Sequence, residues 1–344
     1  MLRRAVRVVL LFVLVLQSVV AFGADVQKEV VPLERNGIQL HLARYQTDDG
    51  GEKTPLLMVH GLTYSSHEFD VNYGDYSLVR FFADNGYSVW LLDIAGYGSS
   101  QKVEDGCMPN SDYAAEDIAA AAKLITATSK TEKLTVLGWS WGTVTSGRFA
   151  AKYSDLVDKL VLYAPIVAGL VAMEVTDAYQ ATSWEHAAGD FQVKADGSID
   201  YDVVEPTVAD TFLSNCWRYD GAGSPNGGRR DLLVAPTERL IPTADIKAPT
   251  LLIVGDKDPY VSTALCEEAL KTLANGELKV LEGAAHAMMM EKPYYKEFRE
   301  SVLEFLKKDS NGRGKSGGGC NVGWSVLLFS FALMSVIEAR GKKR

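Results

Sequence analysis

The residues best placed to do chemistry are Ser140, Asp258 and His286. Ser140 is the centre of Gly138-Trp139-Ser140-Trp141-Gly142, directly after the apolar run Leu134–Leu137 and directly before a helical pattern. A serine in such a strand-to-helix turn is held on a strained backbone, and glycines two places to either side keep neighbouring backbone from clashing. The plainer alternative is a serine whose side chain only caps the helix. A hydroxyl is a poor nucleophile until a base takes its proton. Of the five histidines, His286 fits that role best, in the loop Gly283-Ala284-Ala285-His286-Ala287 just past the last expected strand. His41, His67 and His186 read as surface or structural groups, although His186 lies where it can still touch a substrate. An acid must orient the imidazole, and Gly255-Asp256-Lys257-Asp258-Pro259 offers two carboxylates. Asp258 is favoured, because Asp256 adjoins the strand end and is better placed to hold the loop.

Attack on a carbonyl creates an oxyanion that needs two backbone N–H donors. One is expected from Trp141, directly after the serine, and the other from Leu62, in the loop that follows His60-Gly61. His60 itself is expected to hydrogen-bond loop backbone rather than move protons. Tyr64, Trp139, Met288 and Met289 are candidate walls of an apolar substrate pocket, though such residues are equally ordinary in a core.

The elements that must position these groups are legible as short apolar runs alternating with longer helical patterns, the signature of a mostly parallel sheet with helices on both faces. Strands are expected at Leu56–His60, Ser88–Asp93, Leu134–Leu137, Leu160–Tyr163, Thr250–Gly255 and Leu278–Leu281. Helices are expected at Leu78–Asp84, Tyr113–Ala127, Thr143–Tyr153, Leu265–Leu273 and Tyr295–Leu306. An opening hairpin, Val30–Arg44, turns at Asn36-Gly37. From about 166 to 244 no strand signal fits, and a structureless loop of that length is improbable, so a small, mostly helical cap is expected there, after the sixth strand and over the strand ends.

His60-Gly61, Asp93-Ile94-Ala95-Gly96-Tyr97-Gly98-Ser99, the elbow, the Gly255–Asp258 turn and Gly283–His286 with Glu291-Lys292-Pro293 together resemble the α/β-hydrolase superfamily, over roughly Val30 to Lys308. The resemblance implies Ser140, Asp258 and His286 as a triad and Leu62 and Trp141 as oxyanion donors, with Asp93 structural. Ala95 departs from the commoner arginine, which puts that part of the loop's support in doubt. Serine at position 140, where dehalogenases and epoxide hydrolases of this fold carry aspartate, points to acyl transfer to water and so to a small carboxylic ester as substrate. Two other readings stay open. One is an aminopeptidase resembling the proline iminopeptidases, with Glu174, Asp177, Glu185 or Glu205 holding a free amine; the other is a surface binding module that has lost the chemistry.

A net charge of −9, with no basic cluster in the body of the chain, argues against nucleic acid as a partner. No metal or redox cofactor is implied, since neither metal-ligand spacing nor a phosphate-binding glycine loop is present. Residues 1–23 read as a secretory signal, with Arg3, Arg4 and Arg7 before an apolar run and small residues at the cleavage site. An uncleaved anchor is the alternative. Export would let the four cysteines pair, and Cys107 with Cys216 is one guess. Residues 309–319 read as a glycine-rich linker, and 320–344 as a membrane or sorting segment that ends in Arg340, Lys342, Lys343 and Arg344. The Gly317-Gly318-Gly319-Cys320 step before the apolar run resembles bacterial glycine-glycine-type sorting signals, most closely the Synerg-CTERM form. That resemblance implies cleavage by a sorting protease and attachment to a surface lipid at the cell envelope; a plain tail anchor is the alternative.

Overall fold

Asn36 and Gly37 both take left-handed backbone, with φ of 53° and 78°. They join β1 (Val26–Arg35) to β2 (Ile38–Thr47) in the two-residue turn that matches strand twist. The computed structural model describes residues 25–221 and 223–308, so the expected signal, linker and C-terminal segment lie outside the described residues. Among the described residues no helix is long and apolar enough to cross a membrane.

After the hairpin come β3 (Thr54–Val59), α1 (Leu78–Asp84), β4 (Tyr87–Asp93), α2 (Ser111–Ser129), β5 (Leu134–Trp139), α3 (Trp141–Lys152) and β6 (Val157–Tyr163). The chain then leaves the sheet for an insertion. It holds β7 (Tyr179–Gln180), α4 (Trp184–Ala188), α5 (Pro206–Asp220), β8 (Ser224–Pro225) and α6 (Gly227–Leu232). It returns with β9 (Thr250–Gly255), α7 (Thr263–Thr272), β10 (Gly276–Leu281) and α8 (Tyr295–Lys307). The unit that carries these elements runs to Leu303; a second unit starts at Glu304, of which the described part is the end of α8.

The sheet has eight strands in the order β1-β2-β4-β3-β5-β6-β9-β10. β2 pairs antiparallel with β1 and β4, and every other pairing is parallel. Strands β4, β5 and β9 are buried at every position, which is why they read as unbroken apolar runs: helices cover both faces. This is the mostly parallel, two-faced sheet expected from the alternation of elements, in the α/β-hydrolase form that the resemblance implies. The two edges are charged. β1 carries Lys28, Glu29, Pro32 and Glu34, and on β10 Lys279 pairs with Glu297 at 2.7 Å.

The helices of the insertion are accompanied by a short antiparallel ladder of Tyr179–Gln180 with Ser224–Pro225. One expectation is corrected. Cys107 and Cys216 do not pair: among the described residues both are free, with Cys216 buried on α5 and the Cys107 thiol against the Asp177 carbonyl at 4.0 Å.

Candidate active site

Ser140 stands between β5 and α3 with φ 56° and ψ −120°, a backbone region that costs a non-glycine residue about 1–3 kcal/mol. Its side chain makes no cap hydrogen bond to α3, so helix capping does not account for it. The flanking glycines follow from close packing. A Cβ on Gly138 would overlap the Gly142 carbonyl, and one on Gly142 would overlap the carbonyls of Val59 and His60.

His286 is 3% exposed and Asp258 is 9% exposed. The imidazole Nδ1–H donates to Asp258 Oδ2 at 2.8 Å, which leaves Nε2 with its lone pair free to accept a proton. Asp258 is held in turn, because its Oδ1 accepts the N–H groups of Tyr260 (2.8 Å) and Val261 (3.2 Å). Burial alone would push the His286 pKa down. The charge and hydrogen bond of Asp258, with help from Asp190 and Glu291, outweigh it and carry the pKa above the ordinary 6.5. Asp256, the other candidate acid, accepts the Gly283 N–H at 2.6 Å and so ties the histidine loop to the end of β9.

Ser140 and His286 open onto one cavity of ≈ 300 Å³, which Leu62 also lines. A Cβ on Gly61 would sit 3.3 Å from the Ser140 Cβ, so the loop expected to supply the second oxyanion donor lies against the serine. Trp141 opens α3, and its N–H belongs to the first turn, whose donors have no partner within a helix. The His60 ring fastens this loop to the end of β4: Nδ1–H donates to Gly61 O (2.8 Å) while Nε2 accepts the Ile94 N–H (3.1 Å). Burial holds its pKa below the usual value. Asp93 accepts from Ser66 N and Oγ and from Ser99 N, and Ala95 N donates to Asp117 at 3.1 Å, so a carboxylate on α2 supports the backbone where an arginine was absent.

The four candidate wall residues are not among those lining the cavity. Trp139 is stacked on Tyr163 at 5.4 Å and its indole donates to His286 O at 3.2 Å, so it props the histidine from behind. Met288 and Met289 are fully enclosed, and Tyr64 packs edge-on against Phe212. For Trp139, the last residue of β5, the reason is strand alternation, which turns it away from the side on which Ser140 stands; Met288 and Met289 lie on a short 3-10 turn that is buried throughout. The walls come instead mainly from the insertion and from the loop after β9. They include Ile166, Leu170, Met173, Leu232 and Leu233 as apolar surface, and Gln180, His186, Asp190, Arg229 and Tyr260 as polar groups. The carboxylates Glu174, Asp177, Glu185 and Glu205 do not line it. Glu205 instead accepts from the Tyr76 hydroxyl at 2.9 Å.

Several supporting groups carry little sequence signal. Glu68 is fully buried and accepts the Gly61 N–H at 2.8 Å; burial drives its pKa well above the carboxylate range. Glu291 receives Ala285 N and Gln192 Nε2, both at 3.1 Å, and burial raises it to about 7. Asp220, at the end of α5, accepts from Ser65 N, Ser65 Oγ and Gly98 N, which binds the insertion to the body; burial raises it to about 6. Asp190 has its carboxyl partly open to the cavity and otherwise enclosed, and that burial raises it to about 6. Among the described residues no group of three or more His, Cys, Asp or Glu side chains is placed to hold a metal ion.

The mostly parallel sheet, with a carboxylate, an imidazole and a serine in a strained strand-to-helix turn along its strand ends, defines a hydrolase-type fold. Residues 54–293 match the family described as alpha/beta hydrolase fold, and the chain belongs to it. It is 26% identical over 291 residues to the AB hydrolase superfamily protein YfhM of Bacillus subtilis, covering 79% of this chain and 96% of that one. It is 25% identical over 295 residues to the mouse serine hydrolase BPHL, covering 85% and 90%. Among solved structures, an esterase (EaEST) from Exiguobacterium antarcticum superposes with a TM-score of 0.60 over 81% of this chain and all of the other. At 16% identity that likeness is one of fold alone.

Proposed function

We propose that this chain hydrolyses a small carboxylic ester through a covalent acyl-enzyme on Ser140. The observation that carries the reading is the Asp258–His286 hydrogen bond of 2.8 Å beside a cavity that both His286 and the strained Ser140 line. In the first half-reaction Ser140 Oγ attacks the ester carbonyl and its proton passes to His286 Nε2. The Leu62 and Trp141 N–H groups receive the oxyanion. Collapse breaks the bond to the alcohol, which leaves with the proton from His286. Water then repeats the sequence on the acyl-enzyme, and the acid departs. Asp258 keeps its negative charge throughout and stabilises the imidazolium.

At ≈ 300 Å³ the cavity stands at the small end of the ~300–1,000 Å³ typical of ligand sites, which supports a short acid or alcohol portion. The name of the mouse serine hydrolase supports the same class of reaction. Export to the cell envelope, with a surface lipid and a sorting protease as partners, is proposed on the sequence of residues 1–23 and 320–344.

The test is labelling by a fluorophosphonate beside Ser140→Ala, with p-nitrophenyl esters and proline-naphthylamide as substrates. Labelling lost in the variant, together with ester turnover, supports the proposal. Amide turnover alone replaces it with the aminopeptidase, and well-folded protein that neither labels nor turns over would be a binding module.

A further inference from the structure

Arg229 is the charge in the cavity that ester hydrolysis leaves without a task. It lies in the first turn of α6, is 7% exposed and lines the cavity with Ser140 and His286. A guanidinium stays protonated and is costly to bury unless an anion accompanies it. Here Nη1 donates to Asn226 Oδ1 at 2.5 Å and Nη2 to Thr63 Oγ1 at 2.9 Å, both neutral acceptors. Among the described residues no carboxylate forms an ion pair with it, and the other N–H groups of the fork have no partner. Asp190, the one carboxylate among the described residues that line the cavity, is acted on by His286 and Asp258 rather than by Arg229. The fork is also fixed in place. A Cβ on Gly228 would fall 2.5 Å from Trp141 Cε2, so α6 sits hard against the core, and the Thr63 contact ties the guanidinium to the residue after Leu62.

We infer that Arg229 is an anion subsite, and that the preferred ester carries a free carboxylate close to the scissile bond. This rests on the ester-hydrolase reading above. A planar fork with open N–H groups matches a carboxylate in two parallel hydrogen bonds. Among the described residues that line the cavity Arg229 is the one Lys or Arg, and Asp190 stands on the same wall, so the site favours the single charge of a carboxylate over a dianionic phosphate. His186 lines the same cavity, where burial and Arg229 hold its imidazole below the usual pKa, and it can add a neutral hydrogen bond.

The experiment compares monomethyl glutarate with dimethyl glutarate as substrates of the purified protein, and glutarate, glutaramide and inorganic phosphate as competitors and as calorimetric ligands. The wild type should favour the monoester, chiefly through KM, and bind glutarate well above glutaramide or phosphate. In Arg229→Gln the ratio of kcat/KM between the two esters should fall roughly 10- to 100-fold, the worth of a charged hydrogen bond, and Arg229→Lys should recover part of it. Equal loss on both esters would assign Arg229 to holding the Thr63 loop alone and overturn the inference. So would a wild type that prefers the neutral diester, and that result decides the matter even where Arg229→Gln does not fold. Tighter binding of phosphate than of glutarate would overturn the carboxylate assignment. Failure of the ester reading is seen separately, as absence of turnover on both esters and of fluorophosphonate labelling. Glutarate binding by calorimetry then still decides the subsite.

Discussion

Replacing Asp258 by Asn changes one atom and should reverse the proton placement on His286. The two carboxylate oxygens of Asp258 are not equivalent: Oδ1 accepts two backbone N–H groups, from Tyr260 and Val261, and Oδ2 faces His286 Nδ1. An Asn side chain must keep its carbonyl oxygen toward the two backbone donors, because turning it would set its NH₂ against both. The NH₂ is therefore fixed toward Nδ1, which must present its lone pair, and the imidazole proton moves to Nε2. In the proposed mechanism that nitrogen takes the Ser140 proton. Loss of the correct tautomer in such a triad is worth ~10³- to 10⁴-fold in kcat, or ~4–5.5 kcal/mol of transition-state stabilisation. The assay is steady-state hydrolysis of a p-nitrophenyl ester across pH, with the rate of fluorophosphonate labelling as a measure of serine reactivity that does not depend on substrate choice. Thermal unfolding shows whether the variant keeps its fold. A folded Asp258→Asn protein within tenfold of wild type in both kcat and labelling rate would refute the assignment of Asp258, and would return Asp256 as the candidate acid.

The site's electrostatics set the remaining outcomes. In the proposed mechanism His286 acts in its neutral form, and its pKa is raised above 6.5, so kcat/KM should rise with pH to a midpoint above that value. In Asp190→Asn the midpoint should move down, since the Asp190 charge helps to raise it; an unmoved midpoint in a pH–rate profile would contradict the electrostatic account. Asp190 itself, at about 6 when folded against 3.8 unfolded, keeps its proton longer in the native state, so its share of stability falls as pH rises through that window. With its partial opening to the cavity discounted, the Asn variant should be about 1 kcal/mol more stable at pH 8 and not at pH 3, by denaturant titration. Glu68→Ala should cost about 1–3 kcal/mol by leaving the buried Gly61 N–H unpaired, whereas Glu68→Gln, which retains an acceptor without charge, should lie close to wild type. Equal loss in both would mean that the carboxyl is charged in the folded protein.

The parts of this molecule that were legible in its sequence are those where local chemistry and tertiary structure agree. Asn36-Gly37 announces a hairpin because few other pairs adopt two left-handed residues in succession. The elbow announces itself because Gly138 and Gly142 are the residues that packing against neighbouring carbonyls permits. Runs such as Leu251–Val254 read as strands because both faces of the sheet are covered. Pocket walls were not legible by the same logic. Trp139, Met288 and Met289 stand next to the reacting groups in the chain, yet they turn into the core. The residues that do line the cavity, Asp190, Arg229 and Tyr260 among them, come from an insertion and a loop whose shape is set by what they pack on rather than by any period of their own. Glu68 was hidden for a related reason: nothing local in Ser65-Ser66-His67-Glu68 tells that its carboxyl folds back seven residues to Gly61.

The sheet's two margins bear on life at high local density. Each exposed edge of a sheet is a template on which a second chain can add a strand. Here Pro32 takes one N–H off the first margin, and Lys28, Glu29 and Glu34 set charges of both signs along it. The opposite margin carries Glu277 and the Lys279–Glu297 ion pair. A neighbour attempting to extend the ladder along the described edges would have to desolvate those charges and forgo a hydrogen bond, which disfavours edge-to-edge pairing.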